Sequence, residues 1–246
     1  MDPRAVKDRE RKFREKEIPF GAHTVRTKTQ WFSEIELRNV TGRLGVREGD
    51  KVLDAGCSDG RFLEYLCRKT PSSGLYGVDF AVSSLKALAA KGLGSYSLCG
   101  DVSSLPFRDK VFDRVASIQV IHHIPSKEGR IEALREIGRV MKDNGTMVVT
   151  VLNRKTWHDK VANGKEGPLI AVPDINVYLY DPEDIHEEAG AAGLFVVEIA
   201  AINLFPVRYL KKLRGIGVLL DVLMTRFMKK LSLEKGNYLL AVCRKK

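Results

Sequence analysis

Short apolar runs alternate along most of this chain with amphipathic stretches of helical period, and that rhythm restricts the fold more than any other feature. KVLDA, LYGVDF, SYSLC, VFDRVASIQV, TMVVTVL, LFVVEIA and NYLLAVC read as seven strands. RFLEYLCRK, VSSLKALAAKG, KEGRIEALREIGRVM and PEDIHEEAGAAG read as the helices between them, with KDNG as a turn and Pro182 in a first helical turn. Strands separated by helices of about ten to fifteen residues imply βαβ units and a mostly parallel sheet, with right-handed crossovers. Ahead of the first strand, Trp31, Ile35, Leu37 and Leu44 fall at roughly helical spacing. The expected organisation is therefore a helical cap over residues 1–45 and one α/β domain over 46–246. Two stretches break the rhythm, at about 153–180 and 201–235, and long connections of this kind are usually functional.

The chain has 246 residues, enough to bury a large core without disulfides or metal staples. Cys57, Cys67, Cys99 and Cys243 form no C-x-x-C pair, and no histidine stands at ligand spacing, so no zinc site is expected. The N-terminal MDPRAVKDRERKFREKE has no apolar core of a secretory signal. The apolar stretch AGAAGLFVVEIAAINLFPV is interrupted by Glu198, Asn203, two glycines and Pro206, which argues against a membrane span. A reduced, cytoplasmic setting is the simplest expectation. The net charge is +10, and residues 201–234 alone carry seven Lys/Arg against two Asp/Glu. Such a surplus favours anionic partners, nucleic acid or an anionic membrane, or is a solvated lysine-rich surface.

The stretch VLDAGCSDG, residues 52–60, admits three chemistries. GCSDG fits G-x-S-x-G, a nucleophile elbow centred on Ser58. That elbow normally follows several core strands and comes with an HGGG-like loop; here the stretch closes the first strand and no such loop precedes it. A dinucleotide loop needs G-x-G-x-x-G, but Arg61 and Phe62 follow Gly60 and the third glycine is missing. Asp54 would also repel a pyrophosphate, whereas a cofactor bearing a sulfonium and an amino group tolerates it. Asp79 then ends the second strand, where a carboxylate can accept both ribose hydroxyls. Asp101 ends the third, placed to accept from an adenine amine. Each aspartate alone is commonly a cap or turn former. Three in register beside a glycine loop point to S-adenosylmethionine.

On these motifs the chain resembles the class I S-adenosylmethionine-dependent methyltransferases, in the type 11 group that includes quinone, lipid and tRNA methylases. The resemblance spans about residues 48–152, through VLDAGCSDG, GVDFAVSSLKAL, GDVSSLPF, FDRVASIQVIHHI and ALREIGRVMKDNGTMVVTV. Ser58 replaces a usual glycine, and KDNG replaces R-P-G-G. The resemblance implies a Rossmann-like, seven-stranded sheet with an antiparallel last strand and helices on both faces. It also implies that Asp54, Gly56 and Gly60 line the methionine end, with Cys57 and Ser58 in the same loop. Asp79 and Phe80 fall to the ribose, Asp101 and Val102 to the adenine, and Gln119 to the sulfonium side.

Methyl transfer is an in-line displacement from a good leaving group, so holding the acceptor in line and excluding water is the main task. His122 and His123 follow the fourth strand on the acceptor side and are the candidate general bases. Tyr178 and Tyr180 could border the same pocket. Residues 208–231 carry Leu213, Ile216, Leu220, Leu223, Phe227 and Leu231 at helical spacing among basic residues. That pattern suits a peripheral contact with an anionic membrane at its inner face, or a core-facing helix with a solvated basic side. A lipid, isoprenoid quinone or other amphiphilic small molecule is accordingly the expected acceptor. The IHHI…ALREIGRV stretch resembles tRNA wobble-uridine methylases and makes tRNA the alternative; a non-catalytic binding module is a third.

Overall fold

The computed structural model describes residues 30–71, 73–93, 96–156, 169–172, 175–203, 233 and 235–246, together with positions 8, 9, 11, 12 and 15. In chain order the strands are β1 (Lys51–Ala55), β2 (Gly74–Asp79), β3 (Ser97–Cys99), β4 (Phe112–Ile118), β5 (Met141–Leu152), β6 (Leu169–Val172), β7 (Ile175–Tyr178), β8 (Leu194–Ile202) and β9 (Tyr238–Lys245). The helices are α1 (Gln30–Leu44), α2 (Arg61–Lys69), α3 (Val82–Ala90), α4 (Lys127–Val140) and α5 (Pro182–Ala191).

Seven strands form one sheet in the order β3-β2-β1-β4-β5-β9-β8. All neighbours from β3 to β5 are parallel. β9 is antiparallel to both β5 and β8, so the last strand is inserted between them. The chain moves outward from β1 through β2 to β3, then returns to β4 on the other side. The strand order therefore reverses between β1 and β4, and such a reversal opens a crevice at the carboxyl edge.

Alternation along each strand sends successive side chains to opposite faces. Leu53, Val115, Met147 and Ala241 pack with Ala133, Leu134 and Ile137 of α4 and Ile185 and Ala189 of α5. Their neighbours Val52, Ala116, Val148 and Leu240 pack with Leu37, Val40 and Leu44 of α1 and with Phe62 and Leu66 of α2. Burial on both faces is why these strands read as continuous apolar runs. Ser126 starts α4, its side chain accepting from the Gly129 amide.

Two local expectations are corrected. KDNG is not a turn: α4 stops at Val140, and β5 begins at once with Met141, which pairs with Phe112. An irregularity between Phe112 and Arg114 absorbs the offset. The stretch 153–180 is also not wholly irregular, since β6 and β7 form a two-stranded antiparallel ribbon within it. Of the second interruption, 201–203, 233 and 235 are described; the basic stretch 208–231 and residues 16–29 lie outside the described residues. Among the described residues no helix is long and apolar enough to cross a membrane.

Candidate functional site

The glycine loop is built by backbone conformations that few side chains permit. Gly56 and Gly60 have φ of 90° and 81°. A Cβ on Gly56 would lie 2.3 Å from Val120 Cγ2, and one on Gly60 would lie 2.0 Å from Leu88 Cδ1. The amides of Gly56 and Cys57 both donate to the Val78 carbonyl, at 2.8 and 2.9 Å, which ties the loop to β2. Ser58 takes φ of 48°, a left-handed conformation normally reserved for glycine. Its amide donates to Asp79 Oδ2 at 2.9 Å, and that bond to a carboxylate offsets the conformational cost. Cys57 is buried, and burial holds its thiol protonated.

All three aspartates stand at the carboxyl edge of adjacent strands, two of them with structural duties as well. Asp79 accepts from Ser58 through one oxygen and from the Ala81 amide at 2.9 Å through the other. Asp101 makes a tight turn, Oδ1 accepting from the Ser103 amide at 2.8 Å and its hydroxyl at 2.6 Å. A carboxylate has about four acceptor positions, so these bonds leave both groups capacity for a ligand. Phe80 is half-buried and Val102 buried beside them. Asp54 differs. It is 2% exposed, and its Oδ1 has no hydrogen-bond partner. Burial pushes its carboxyl up to about 7, against the opposing pull of the Arg61 guanidinium. An orphan acidic oxygen under a tight glycine loop fits a cationic ligand and suits no pyrophosphate.

Past β4 the chain turns through Gln119, at φ 58°, into a single 3-10 turn, Ile121–His123. The Gln119 amide donates to the Thr150 carbonyl at 3.0 Å. Its side-chain Nε2 donates to both oxygens of Glu36 on α1, at 2.9 and 2.8 Å. His122 is buried, 2% exposed, with its ring centroid 4.2 Å from that of the half-buried His123. β7 packs against this turn. Tyr178 of β7 meets Tyr180 edge-on at 4.8 Å.

A buried ion pair supports the turn from below. Arg130 donates to the Ile124 and Pro125 carbonyls at 3.2 and 3.0 Å, and its guanidinium lies 3.7 Å over the Tyr178 ring. Nε and an Nη of Arg130 reach Glu188 Oε1 at 2.9 and 2.6 Å, and the Tyr180 hydroxyl donates to Glu188 Oε2 at 2.7 Å. Sequence reasoning missed Glu36, Arg130 and Glu188. Gln119 is 83 positions from Glu36 and Glu188 is 58 from Arg130, and no local pattern distinguishes the three from surface charges on amphipathic helices. Among the described residues no cluster could hold a metal ion.

A mostly parallel α/β sheet with a glycine loop after β1 and acids at the carboxyl edge of β1, β2 and β3 is the framework of a nucleotide-cofactor enzyme. The methyltransferase-domain family matches residues 53–149. A protein of Encephalitozoon cuniculi named as a methyltransferase is 32% identical over 157 residues, which cover 60% of this chain and 71% of that protein. The chain belongs to the class I S-adenosylmethionine-dependent methyltransferases of the type 11 group. The tRNA (carboxymethyluridine(34)-5-O)-methyltransferase of Arabidopsis thaliana is 34% identical over 103 residues, 42% of this chain and 24% of that protein. This chain thus spans only about a quarter of that longer relative. Among solved structures, the Haloferax volcanii complex of the Trm112 methyltransferase activator with a methyltransferase shares the fold. Its TM-score is 0.66 at 20% identity, over 94% of this chain and 97% of that one.

Proposed function

We propose that this enzyme methylates a carboxylate oxygen on a modified wobble uridine of tRNA. The similarity to the Arabidopsis carboxymethyluridine methyltransferase carries the reading. The site's chemistry is consistent with it. A carboxylate acceptor is already ionised at neutral pH and attacks a methyl group without a base. His122 is buried against His123, an arrangement suited to shaping the acceptor side. An alcohol or phenol acceptor would instead require one of the two as a base. The net charge of +10 suits a polyanionic substrate.

In this reading the cofactor supplies an electrophilic methyl group on a sulfonium. Asp54, Gly56, Cys57, Ser58 and Gly60 hold its methionine end, Asp79 and Phe80 the ribose, Asp101 and Val102 the adenine. Gln119 borders the sulfonium side. The orphan Oδ1 of Asp54 supplies negative charge where the cofactor is positive. His123, Tyr178 and the 3-10 turn orient the acceptor and exclude water.

Purified protein, with and without a Trm112-type activator from its source, is incubated with methyl-labelled S-adenosylmethionine and total tRNA or an extracted lipid fraction. The expected outcome is nuclease-sensitive label in tRNA that mild alkali releases, as a methyl ester requires. Alkali-stable label in RNA, or label only in the organic phase, overturns the reading. The latter outcome assigns an amphiphilic acceptor and a membrane contact at 208–231.

A further inference from the structure

Glu36 is the one acidic side chain of α1 that is 1% exposed, on a helix joined to the sheet mainly through apolar contacts and an Arg43–Glu198 ion pair. Burying a carboxylate costs several kcal/mol unless it is fully hydrogen-bonded, and here three separate elements supply donors. Gln119 Nε2 lies 2.9 and 2.8 Å from its two oxygens. Thr150 Oγ1 of β5 donates at 3.0 Å, and an Nη of Arg61, the first residue of α2, donates at 3.0 Å. Two of these donors, Gln119 and Arg61, flank the glycine loop, and Thr150 is buried in β5 behind them. Gln119 is held left-handed and leads directly into Val120, whose Cγ2 lies where a Cβ on Gly56 would stand. Arg61 immediately follows Gly60 and sets the charge facing Asp54. One carboxylate on the N-terminal helix therefore grips both sides of the glycine loop, across the point where strand order reverses.

We propose that Glu36 is a positioning residue for the cofactor. It fixes the Gln119–Val120 turn against Gly56 and fixes Arg61 at the start of α2, so that the methionine end of the crevice is shaped before the ligand arrives. The inference rests on the reading that the cofactor's methionine end occupies the glycine loop. It goes beyond that reading by giving α1, outside the matched 53–149 segment, a part in shaping the cofactor site. Pre-shaping of this kind raises affinity by cutting the cost of ordering the site on binding.

The test uses the full chain and two probes. S-adenosylhomocysteine fills the whole crevice and is measured by calorimetry. 5′-Methylthioadenosine lacks the amino-acid end and is measured by saturation-transfer NMR at millimolar concentration. Glu36→Gln is nearly isosteric but cannot accept from all three donors. It should weaken S-adenosylhomocysteine about tenfold, the usual scale for one charge-assisted hydrogen bond, and leave 5′-methylthioadenosine within about twofold. Gln119→Leu should do the same, and the double variant should be no worse than the worse single, because the two act as one unit. Equal weakening of both probes means a general structural lesion and overturns the proposal. So does unchanged S-adenosylhomocysteine affinity in Glu36→Gln, or additive losses in the double variant. Asp54→Asn separates the two levels. If it too leaves S-adenosylhomocysteine affinity untouched, the cofactor placement itself is wrong; if it alone weakens binding, only the role of Glu36 is.

Discussion

Asp54 is the penultimate residue of β1, inside the protein, and its carboxyl sits at about 7 because burial outweighs the attraction of Arg61. In the unfolded chain such a group titrates near about 3.9. Between about pH 4 and 7 the native state therefore holds the proton that the unfolded state has released. Stability from this group falls as pH rises through that window and is level above it. Asp54→Asn should stabilise the ligand-free protein by about 1–3 kcal/mol at pH 8 and do nothing at pH 4, as read from chemical denaturation at both. Binding of a cationic ligand favours the ionised form. Cofactor affinity should thus rise with pH by up to about tenfold per unit below about pH 7 and flatten above, with proton release visible by calorimetry in buffers of differing ionisation enthalpy. At Asp79 the expectation is simpler. Asp79→Ala removes the proposed ribose acceptor and the bonds to Ser58 and Ala81, so S-adenosylhomocysteine affinity should fall at least about tenfold. An unaltered affinity removes the ribose assignment.

Elements are joined at this site by buried polar contacts as well as by apolar packing. Arg130 of α4 and Glu188 of α5 are each 2% exposed, and together they hold the carbonyls that end the histidine turn, the Tyr178 ring and the Tyr180 hydroxyl. Removing one partner strands the other charge in the interior. Arg130→Met should cost about 3–5 kcal/mol, whereas Arg130→Met/Glu188→Met should recover most of the loss. Urea titrations of the wild type, both singles and the double variant measure the coupling. If the double variant is as unstable as Arg130→Met alone, the pair does more than neutralise itself. The same pair meets β7 beside the histidine turn, with Tyr178 lying on the Arg130 guanidinium.

At the scale of the whole molecule, charge and topology act together. The sheet order places every candidate cofactor residue at one edge, beside the turn that leads to the acceptor side. The surplus of ten positive charges supplies long-range attraction for a polyanion. If tRNA is the substrate, its binding should weaken steeply with salt, log K falling linearly with log salt concentration as counterions are released. A filter-binding series from 50 to 200 mM salt reads the slope, on the scale of about 10³-fold for six phosphate contacts. A flat series would leave the charge as solubility alone.

The order of elements, the mostly parallel sheet and the aspartates at its carboxyl edge were legible in the amino-acid sequence because each rests on local regularity. Strand and helix periods differ, glycine marks positive φ at Gly56 and Gly60, and an aspartate closing a strand lies at its carboxyl end whatever the strand packs against. The boundary at KDNG was misread because pairing of Met141 with Phe112 overrides a turn-forming composition. The β6–β7 ribbon was missed because its strands are 4 residues each, too short for a period to stand out. Glu36, Arg130 and Glu188 could not be found at all from the chain order. A buried carboxylate or guanidinium is tolerable only where distant donors or acceptors converge on it, and only the tertiary structure brings Gln119, Thr150 and Arg61 around one helix glutamate. The sequence by itself determined which residues could meet a cofactor; the packing of α1, α4 and α5 onto the sheet decided what holds those residues in place.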